Sequence, residues 1–200
     1  GMPVALAENK GIAYQGCIPL GMGFIIEESE AIAWIDESER NSEVLFPYLT
    51  GDDANSRPDM SASRWAIDFN ERSETEAARY VLPFERLRST VYPERLKGSD
   101  STLKANWWKY LRNRPAMRKA IAGLDEVLAI TLVSKIAMPV RVSAHQVISN
   151  RLAVFATDSF AMQALLSSSP HWLWAVKYGT TLETRINYTP VDVFETFPLL

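Results

Sequence analysis

A run of long polar side chains lies between two strand-like apolar segments, residues 127–133 and 151–155. The run contains Lys135, Arg141, Ser143, His145 and Gln146. Lys and Arg side chains suit the O6 and N7 acceptors of guanine, and Gln suits N6 and N7 of adenine. Residues 135–146 therefore predict a hairpin that contacts base edges in a DNA groove. The alternative is a polar hairpin face that contacts only water.

A basic block precedes this run. The formal net charge of the chain is −3, but residues 81–120 carry 10 Lys/Arg and 3 Asp/Glu, whereas residues 1–80 carry 6 and 15. Basic clusters attract phosphates, and phosphate contacts position DNA without specifying its sequence. The candidate phosphate contacts are Arg95, Lys104, Lys109, Arg112, Arg114 and Arg118. On charge alone, a solvated face of charged helices is the simpler explanation.

Two further pairs of residues leave DNA contact and a structural role open. Trp107 and Trp108 could stack on bases, although such a pair more often anchors a helix to a core. Arg57 and Arg64 flank a polar loop over residues 55–63. These two cations could contact DNA or pair with nearby acidic residues.

Motifs for nucleotide binding and methyl transfer are missing. Gly21 and Gly23 form a short glycine pair, but position 26 is Ile26 and the segment leads into strand-like residues rather than a helix. The chain contains no Pro-Pro pair, so it lacks the Asn-Pro-Pro-aromatic tetrad that holds a flipped adenine for methylation. We expect the chain alone to be non-catalytic and to bind no cofactor of its own.

The residues that could bind a metal are also poorly placed. His145 and His171 are far apart in sequence and lack neighbours at ligand spacing, so no zinc site is expected. A nuclease cluster would have to come from Asp59, Asp68 and Glu71, but no Asp-x-Lys or Glu-x-Lys follows them at strand spacing. Asp68 is instead expected to end a strand and bond local backbone. Two rival hypotheses remain: a metal-dependent nuclease fragment, and a protein-interaction module that uses the acidic residues 1–80.

Hydrophobic periodicity and capping residues predict the elements that position these groups. Strands are expected over residues 22–26, 45–49, 65–69, 127–133, 139–143, 151–155 and 184–188. Helices are expected over residues 30–35 with Ser29 as N-cap, after a capping box at Ser73 and Glu76, and over 84–97, 103–111, 115–122, 159–166 and 172–178. Residues 51–53 are expected to form a turn, and residues 98–102 a flexible break. The irregular order of elements predicts an α+β fold of mixed helices and largely antiparallel strands.

Composition places limits on the organisation of the chain. The 200 residues, 47% of them hydrophobic, suit one domain over residues 1–200. That domain would have an acidic part over 1–80, a basic helical part over 81–122 and a strand-rich part over 123–200. Cys17 is the only cysteine, which excludes an intrachain disulfide and suits the cytoplasm. The longest apolar run, residues 127–133, is far shorter than the ~20 residues of a membrane helix, so no membrane association is expected.

Short motifs occur in three stretches of the chain. The first stretch contains Tyr14-Gln15-Gly16, Leu45-Phe46-Pro47-Tyr48-Leu49-Thr50-Gly51-Asp52-Asp53 and Arg64-Trp65-Ala66-Ile67-Asp68-Phe69. The second contains Tyr92-Pro93-Glu94-Arg95, Trp107-Trp108 and Arg114-Pro115. The third contains Leu165-Leu166-Ser167-Ser168, His171-Trp172, Arg185-Ile186-Asn187-Tyr188-Thr189 and Phe194-Glu195-Thr196-Phe197-Pro198. Their order and spacing resemble the region downstream of the methyltransferase in MmeI-like type IIG (IIL) restriction–modification enzymes.

The resemblance implies a division of labour between domains. In that family an upstream domain binds S-adenosylmethionine and methylates adenine N6, another upstream domain cuts DNA, and the matched region selects the sequence. The chain would then have the fold of a methyltransferase target-recognition domain and would place duplex DNA for the methyltransferase domain of the same parent chain. S-adenosylmethionine and Mg²⁺ would belong to the parent's other domains. Residues 135–146 would lie where the family's base-contacting residues are expected.

Overall fold

The computed structural model describes residues 3–182 and 185–199, which form two compact units. Unit 1 is built from Gly1–Gly16, Thr50–Ser61 and Arg114–Leu200, and unit 2 from Cys17–Leu49 and Ala62–Asn113. Both units are discontinuous in sequence, and the basic part over residues 81–122 is divided between them after Asn113. The expectation of one domain over residues 1–200 stays a prediction.

Strands and short helices alternate irregularly along the chain. The strands are β1 (Ala13–Gln15), β2 (Ile25–Ile26), β3 (Leu45–Leu49), β4 (Arg64–Ile67), β5 (Glu126–Thr131), β6 (Val133–Ser134), β7 (Val140–Ser143), β8 (Val147–Ile148), β9 (Leu152–Phe155), β10 (Thr180–Leu182) and β11 (Arg185–Asn187). The helices are α1 (Glu28–Glu37), α2 (Gly51–Ser56), α3 (Glu74–Ala77), α4 (Val81–Lys97), α5 (Ser101–Ala105), α6 (Pro115–Ile121), α7 (Phe160–Leu166) and α8 (Ser169–Tyr178). Short 3₁₀ turns cover Ala7–Asn9, Met22–Phe24 and Glu39–Glu43, and a π-helical turn covers Pro190–Phe194.

Unit 1 is built on a four-stranded antiparallel sheet in the order β1-β9-β5-β7. Residues 127–130 and 152–155 of its two central strands are buried on both faces, which explains their uninterrupted apolar sequence. A smaller antiparallel sheet has the order β10-β11-β6. The rings of Phe155, Tyr188 and Phe194 lie in the same hydrophobic core, where they meet edge to face.

Unit 2 combines the antiparallel strands β2, β4 and β3 with the long helix α4. The helix buries Phe84, Leu87 and Val91, whose spacing of three and four residues places them on one face. Gly23 approaches this helix closely, because a Cβ at position 23 would lie 2.1 Å from Thr90 Oγ1 and 2.8 Å from Val91 Cγ2. A larger residue would therefore push the 3₁₀ turn away from the helix.

Local signals placed several element ends correctly. Ser73 and Glu76 form the expected capping box, in which the side chain of each accepts a hydrogen bond from the backbone N–H of the other. Pro115 is the first residue of α6, and β3 covers residues 45–49 as expected. Asp68 Oδ1 accepts a hydrogen bond from the Asn70 N–H at 2.9 Å just after β4, as expected. Thr184, the first residue of the expected last strand, lies outside the described residues, and β11 covers Arg185–Asn187.

Other local predictions were wrong because side-chain caps compete with turns. The expected turn at residues 51–53 is the start of α2, since Thr50 and Asp53 form a second capping box. The flexible break at residues 98–102 contains an N-cap, in which Asp100 accepts from the N–H groups of Thr102 and Leu103 at 2.8 and 3.1 Å. The expected helix over 103–111 ends at Ala105, where the Asn106 side chain bonds back to the Thr102 carbonyl.

Near the start of the chain two predictions also need correction. Helix α1 begins at Glu28 rather than after Ser29, and its N-cap, Glu27, makes no side-chain cap. In the expected strand over residues 22–26, only Ile25 and Ile26 are extended, because Met22–Phe24 form a 3₁₀ turn.

The α+β fold class is confirmed, since helices and antiparallel sheets both contribute and do not alternate regularly. Across residues 3–182 and 185–199, no helix combines the length and apolar character needed to cross a bilayer.

Candidate nucleic-acid interface

The polar residues after β7 form a tight turn that is held by its own hydrogen bonds. Ser143 Oγ accepts from the His145 N–H at 3.1 Å, and the Ser143 carbonyl accepts from Gln146 Nε2 at 2.9 Å. His145 Nε2 lies 3.2 Å from Asp125 Oδ1, beside the start of β5. Ser143 and His145 are exposed and Gln146 is half-buried. The turn thus presents several donors and acceptors to solvent in a defined arrangement.

Lys135 lies at the other end of β7, in the connection from β6. Its side chain is exposed, as are the neighbouring Ile136 and Met138. The connection is ordered by hydrogen bonds onto the Ile136 carbonyl from Ser134 Oγ at 2.6 Å and from the Met138 N–H at 2.8 Å. This connection therefore offers a cation beside two apolar side chains.

Residues 135–146 do not form the one hairpin that the sequence suggests. Strand β6 pairs with β11, whereas β7 pairs with β5, so the two strands belong to different sheets. Lys135 and the turn after β7 are separated by the length of β7, from Val140 to Ser143. The expected base-contacting residues consequently fall into two groups rather than one.

Arg141 belongs to neither group, because its side chain is bound within unit 1. Its guanidinium donates to the Asp158 carbonyl at 2.9 Å and to Gln163 Oε1 at 3.1 Å, and pairs with Glu126 at 3.4 Å. It also lies 4.2 Å from the centre of the Phe160 ring. Only 17% of the side chain is exposed. Arg141 therefore fastens the start of α7 to β7, and it is not placed to reach a base edge.

In unit 2 the expected phosphate contacts differ strongly in exposure. Arg112 is exposed and its backbone is held by two hydrogen bonds with Ile18, at 3.0 and 3.1 Å. Lys104 is half-buried in the last turn of α5. Lys109 Nζ lies 3.3 Å from the Glu71 carbonyl and 3.7 Å from its carboxylate. These three cations remain candidates for phosphate contact.

Arg95, also in unit 2, is buried. Its Nη1 donates to the Asn106 and Lys109 carbonyls at 3.1 and 2.6 Å, and its Nη2 donates to the Pro19 and Leu20 carbonyls at 3.1 and 3.3 Å. Burial lowers the pKa of the guanidinium, but the side chain stays charged because an Arg side chain does not lose its proton in proteins. A group enclosed in this way cannot reach a phosphate, so the sequence-based role of Arg95 is revised to a structural one.

Unit 1 contains the other two expected phosphate contacts. Arg114 is half-buried, and its guanidinium donates to the Gly16 carbonyl at 3.1 Å and to Gln15 Oε1 at 3.0 Å. Its backbone has a left-handed conformation, with φ of 56°, just before α6. Arg118 lies one turn into α6 and is half-buried. Arg114 therefore stabilises the loop after β1, which weakens its case as a phosphate contact.

Four residues for which the sequence left DNA contact and a structural role open have contacts that favour the structural role. Trp107 and Trp108 are buried in unit 2, where their indole N–H groups donate to Glu74 Oε1 and the Arg72 carbonyl at 3.0 and 2.9 Å. In unit 1 Arg57 Nε donates to Ser61 Oγ at 2.9 Å and lies 3.9 Å from Asp59. In unit 2 Arg64 pairs with Glu27 at 3.2 Å. Core packing and local ion pairs account for these four side chains.

The glycine of the Tyr14-Gln15-Gly16 motif has a physical explanation that sequence reasoning missed. A Cβ at Gly16 would lie 2.2 Å from the Ser149 carbonyl oxygen and 2.4 Å from that of Ile148. Gln15 Nε2 donates to the Asn150 carbonyl at 2.9 Å in the same place. The motif therefore brings β1 against the backbone that precedes β9. The signal available in the sequence was the glycine itself, because only a residue without a side chain permits such a close approach.

No group of three or more His, Cys, Asp or Glu side chains among residues 3–182 and 185–199 is arranged to hold a metal ion. Asp59, one of the nuclease candidates, is exposed and accepts from the Ser61 N–H and Oγ at 3.1 and 2.8 Å. These hydrogen bonds lower the pKa of its carboxyl group.

Comparison with known proteins shows a similarity of fold. No protein-family model and no curated protein sequence matches the chain. The chain is similar in fold to a solved structure described as the type IIL restriction-modification enzyme MmeI in complex with DNA, with a TM-score of 0.79 and 18% sequence identity. The match covers 100% of this chain and 27% of that chain. The chain thus has the fold of a part, about a quarter by length, of that enzyme.

Proposed function

We propose that this chain is the target-recognition module of a single-chain type IIG restriction–modification enzyme and that its partner is duplex DNA. The observation that carries the proposal is the match of the whole chain to part of a DNA-bound enzyme of this class. The three motif stretches, which resemble the same family in the same order, support it independently. The role of this module would be to choose the sequence and place it for N6-adenine methylation.

The chemistry itself would be performed elsewhere in the parent protein. S-adenosylmethionine and Mg²⁺ would be bound by the parent's methyltransferase and nuclease domains, and the methyltransferase domain would be the protein partner of this module. Purified chain incubated with labelled S-adenosylmethionine, Mg²⁺ and mixed-sequence DNA should neither transfer methyl groups nor cut. Cleavage would favour the nuclease fragment, whereas salt-insensitive binding of a protein without DNA affinity would favour the interaction module.

Base recognition is assigned to the two groups at the ends of β7. One group is Lys135 with its exposed neighbours, and the other is the turn with Ser143, His145 and Gln146. Strand β7 lies between the two groups and by itself spans about 10 Å over its three residue steps, and residues 135–139 precede it. A length of about 10 Å equals roughly three base-pair steps of duplex DNA. The two groups would therefore contact different base pairs of the target. Phosphate contacts are assigned to Lys104, Lys109, Arg112 and Arg118, with Arg114 in a supporting role.

The decisive experiment compares the methylated sites of full-length variants. Lys135→Ala and Gln146→Ala should each relax one position of the target, at different places in the site, because a good contact to a base discriminates by ~1–3 kcal/mol. This corresponds to a tenfold to hundredfold loss of preference, which sequencing of modified adenines in an expressing host detects.

Lys119→Ala is the matched control. Lys119 is an exposed cation on α6, so its loss should change the extent of methylation alike at all sites and leave their sequence unchanged. If Lys135→Ala and Gln146→Ala both methylate the parental sequence with unchanged preference, the ends of β7 do not contact the bases.

A further inference from the structure

An aromatic cavity in unit 2 plays no part in the recognition role proposed above. It has a volume of about 440 Å³ and is lined by Phe84, Tyr92, Trp107, Glu74 and Arg88, together with two small side chains. This volume lies within the range of small-molecule sites. Helix α4 supplies Phe84, Arg88 and Tyr92 at a spacing of four residues, which places them in one row along the helix.

The walls of the cavity suit a flat ring. The centre of the Trp107 ring lies 5.0 Å from that of Tyr92 and 5.1 Å from that of Phe84, with the planes tilted by 58° and 56°. Trp107 and Phe84 are only 5% and 7% exposed, whereas Tyr92 is half-buried. Tyr92 is therefore the most accessible of the three rings, and a base can stack against it without moving the other two.

The charges of the cavity suit a nucleotide rather than another flat ligand. Glu74 already accepts the Trp107 indole N–H at 3.0 Å through Oε1, and its carboxylate offers further acceptor positions to an exocyclic amino group. Arg88 is paired with Glu85 at 3.5 Å, but both side chains are more than half exposed, so the pair is weak and a phosphate can replace it. A quaternary ammonium ligand also favours aromatic cages, but it has no phosphate with which to bind the Arg88 guanidinium.

We propose that this cavity binds a nucleobase that carries an exocyclic amino group, stacked on Tyr92, with its 5′-phosphate on Arg88. The base can come from a free nucleotide or from an unpaired position of a DNA strand, since both present the same ring and phosphate. The site lies wholly in unit 2 and does not depend on the base contacts assigned to the ends of β7.

Binding is tested by titrating the whole chain with AMP, CMP, GMP, UMP, adenosine and ribose 5-phosphate, followed by calorimetry and ligand-observed NMR. AMP, CMP and GMP should bind more tightly than UMP and ribose 5-phosphate. Tyr92→Ala should weaken AMP about tenfold, and Tyr92→Phe should restore it because the stacking face is kept. Arg88→Ala should weaken AMP but leave adenosine unchanged.

Lys97→Ala is the control, since Lys97 is an exposed cation on the same helix that does not line the cavity; it should leave AMP binding unchanged. If a duplex with one unpaired adenine displaces AMP and the fully paired duplex does not, the base comes from DNA. If neither duplex displaces AMP, the base comes from a free nucleotide. Absence of AMP binding, tighter binding of choline than of AMP, or an unchanged affinity in Tyr92→Ala would each overturn the proposal.

Discussion

At the scale of single residues, the basic block contains cations with opposite roles. Arg112 is exposed, whereas Arg95, from the same block, is 7% exposed and donates to four backbone carbonyl groups. Those carbonyls belong to the segment before the 3₁₀ turn at Met22–Phe24 and to the segment after α5. Arg95 therefore joins two irregular segments that lack regular backbone pairing.

Arg95→Ala should destabilise the fold by roughly 3 kcal/mol or more, because buried carbonyls lose charged donors and a cavity is left. Urea denaturation of the variant and of the parent chain measures the difference. Lys97→Ala, two residues away on an exposed site, should change the free energy of unfolding by no more than about 0.5 kcal/mol. Equal stability of Arg95→Ala and the parent chain would contradict the structural role.

His171 is a buried titratable residue with a defined tautomer. Its Nδ1 lies 2.7 Å from the Leu166 carbonyl and therefore carries the proton, while Nε2 accepts from the Tyr188 hydroxyl at 3.1 Å. Burial lowers the pKa of the imidazole, although the hydrogen bond to Leu166 acts in the opposite direction. The folded state thus holds His171 neutral at a pH where the unfolded chain already binds a proton.

The chain should consequently lose stability as pH falls below about 6.5, the ordinary pKa of histidine, because the unfolded state then takes up more protons. This contribution is complete above that pH. Urea midpoints between pH 7.5 and 5.5 measure it, a range that lies above the lowered carboxyl pKa values of Glu43, Asp59 and Glu76. The pH dependence should disappear in His171→Gln and persist in His145→Gln; persistence in both would assign it to another group.

At the scale of elements, Arg141 fixes helix α7 rather than extending toward a ligand. Helix α7 is only seven residues long, with Ser159 as its N-cap, and short helices depend on tertiary contacts for stability. The hydrogen bonds from Arg141 to the Asp158 carbonyl and Gln163, with the Phe160 contact, supply such contacts at the start of the helix.

Arg141→Ala should therefore lower the free energy of unfolding by about 1–2 kcal/mol while leaving the methylated sequence of the proposed parent enzyme unchanged. Denaturant melting of the chain and sequencing of modified adenines test the two statements separately. Lys135→Ala serves as the opposite control, with an expected change in sequence preference and little change in stability. If Arg141→Ala changed the methylated sequence without lowering the free energy of unfolding, Arg141 would be a base contact and not a structural residue.

At the scale of the whole molecule, the DNA binding proposed for a chain with a net charge of −3 would depend on a local concentration of cations. Each phosphate contact releases counterions. The logarithm of the affinity therefore falls linearly with the logarithm of the salt concentration, and the slope is proportional to the number of phosphate contacts. Arg95 is buried and the Arg114 guanidinium is hydrogen-bonded to Gly16 and Gln15, so both should contribute little to that slope. Arg112 is exposed and should contribute fully.

Arg112→Ala should reduce the magnitude of the salt slope by roughly one unit for all DNA sequences alike. Fluorescence anisotropy with labelled duplexes between low and physiological salt measures the slope. Arg64→Ala is the matched control, because Arg64 pairs with Glu27 at 3.2 Å and is not assigned to phosphate. An unchanged slope in Arg112→Ala would place the DNA footprint outside the basic block. An equal reduction in both variants would mean that the slope follows the net charge of the chain rather than a contact made by Arg112.

The sequence by itself determined those features that depend on neighbours within a few residues. The Ser73–Glu76 capping box and Pro115 at the start of α6 follow from interactions at short sequence separation. The strands at 45–49 and 152–155 follow from short uninterrupted runs of apolar residues. The α+β class follows from the order of these elements. Even the missed box at Thr50 and Asp53 was visible as a local pattern.

Only the tertiary structure decided which polar side chains remain available for binding. Arg95 meets the Pro19 carbonyl 76 residues away, Arg141 meets Gln163 22 residues away, and Trp107 meets Glu74 33 residues away. Exposure of a cation and enclosure of a cavity depend on such distant contacts, which composition and spacing do not encode. The sequence identified the side chains capable of contacting DNA, and the fold determined which of them are already bound within their own unit.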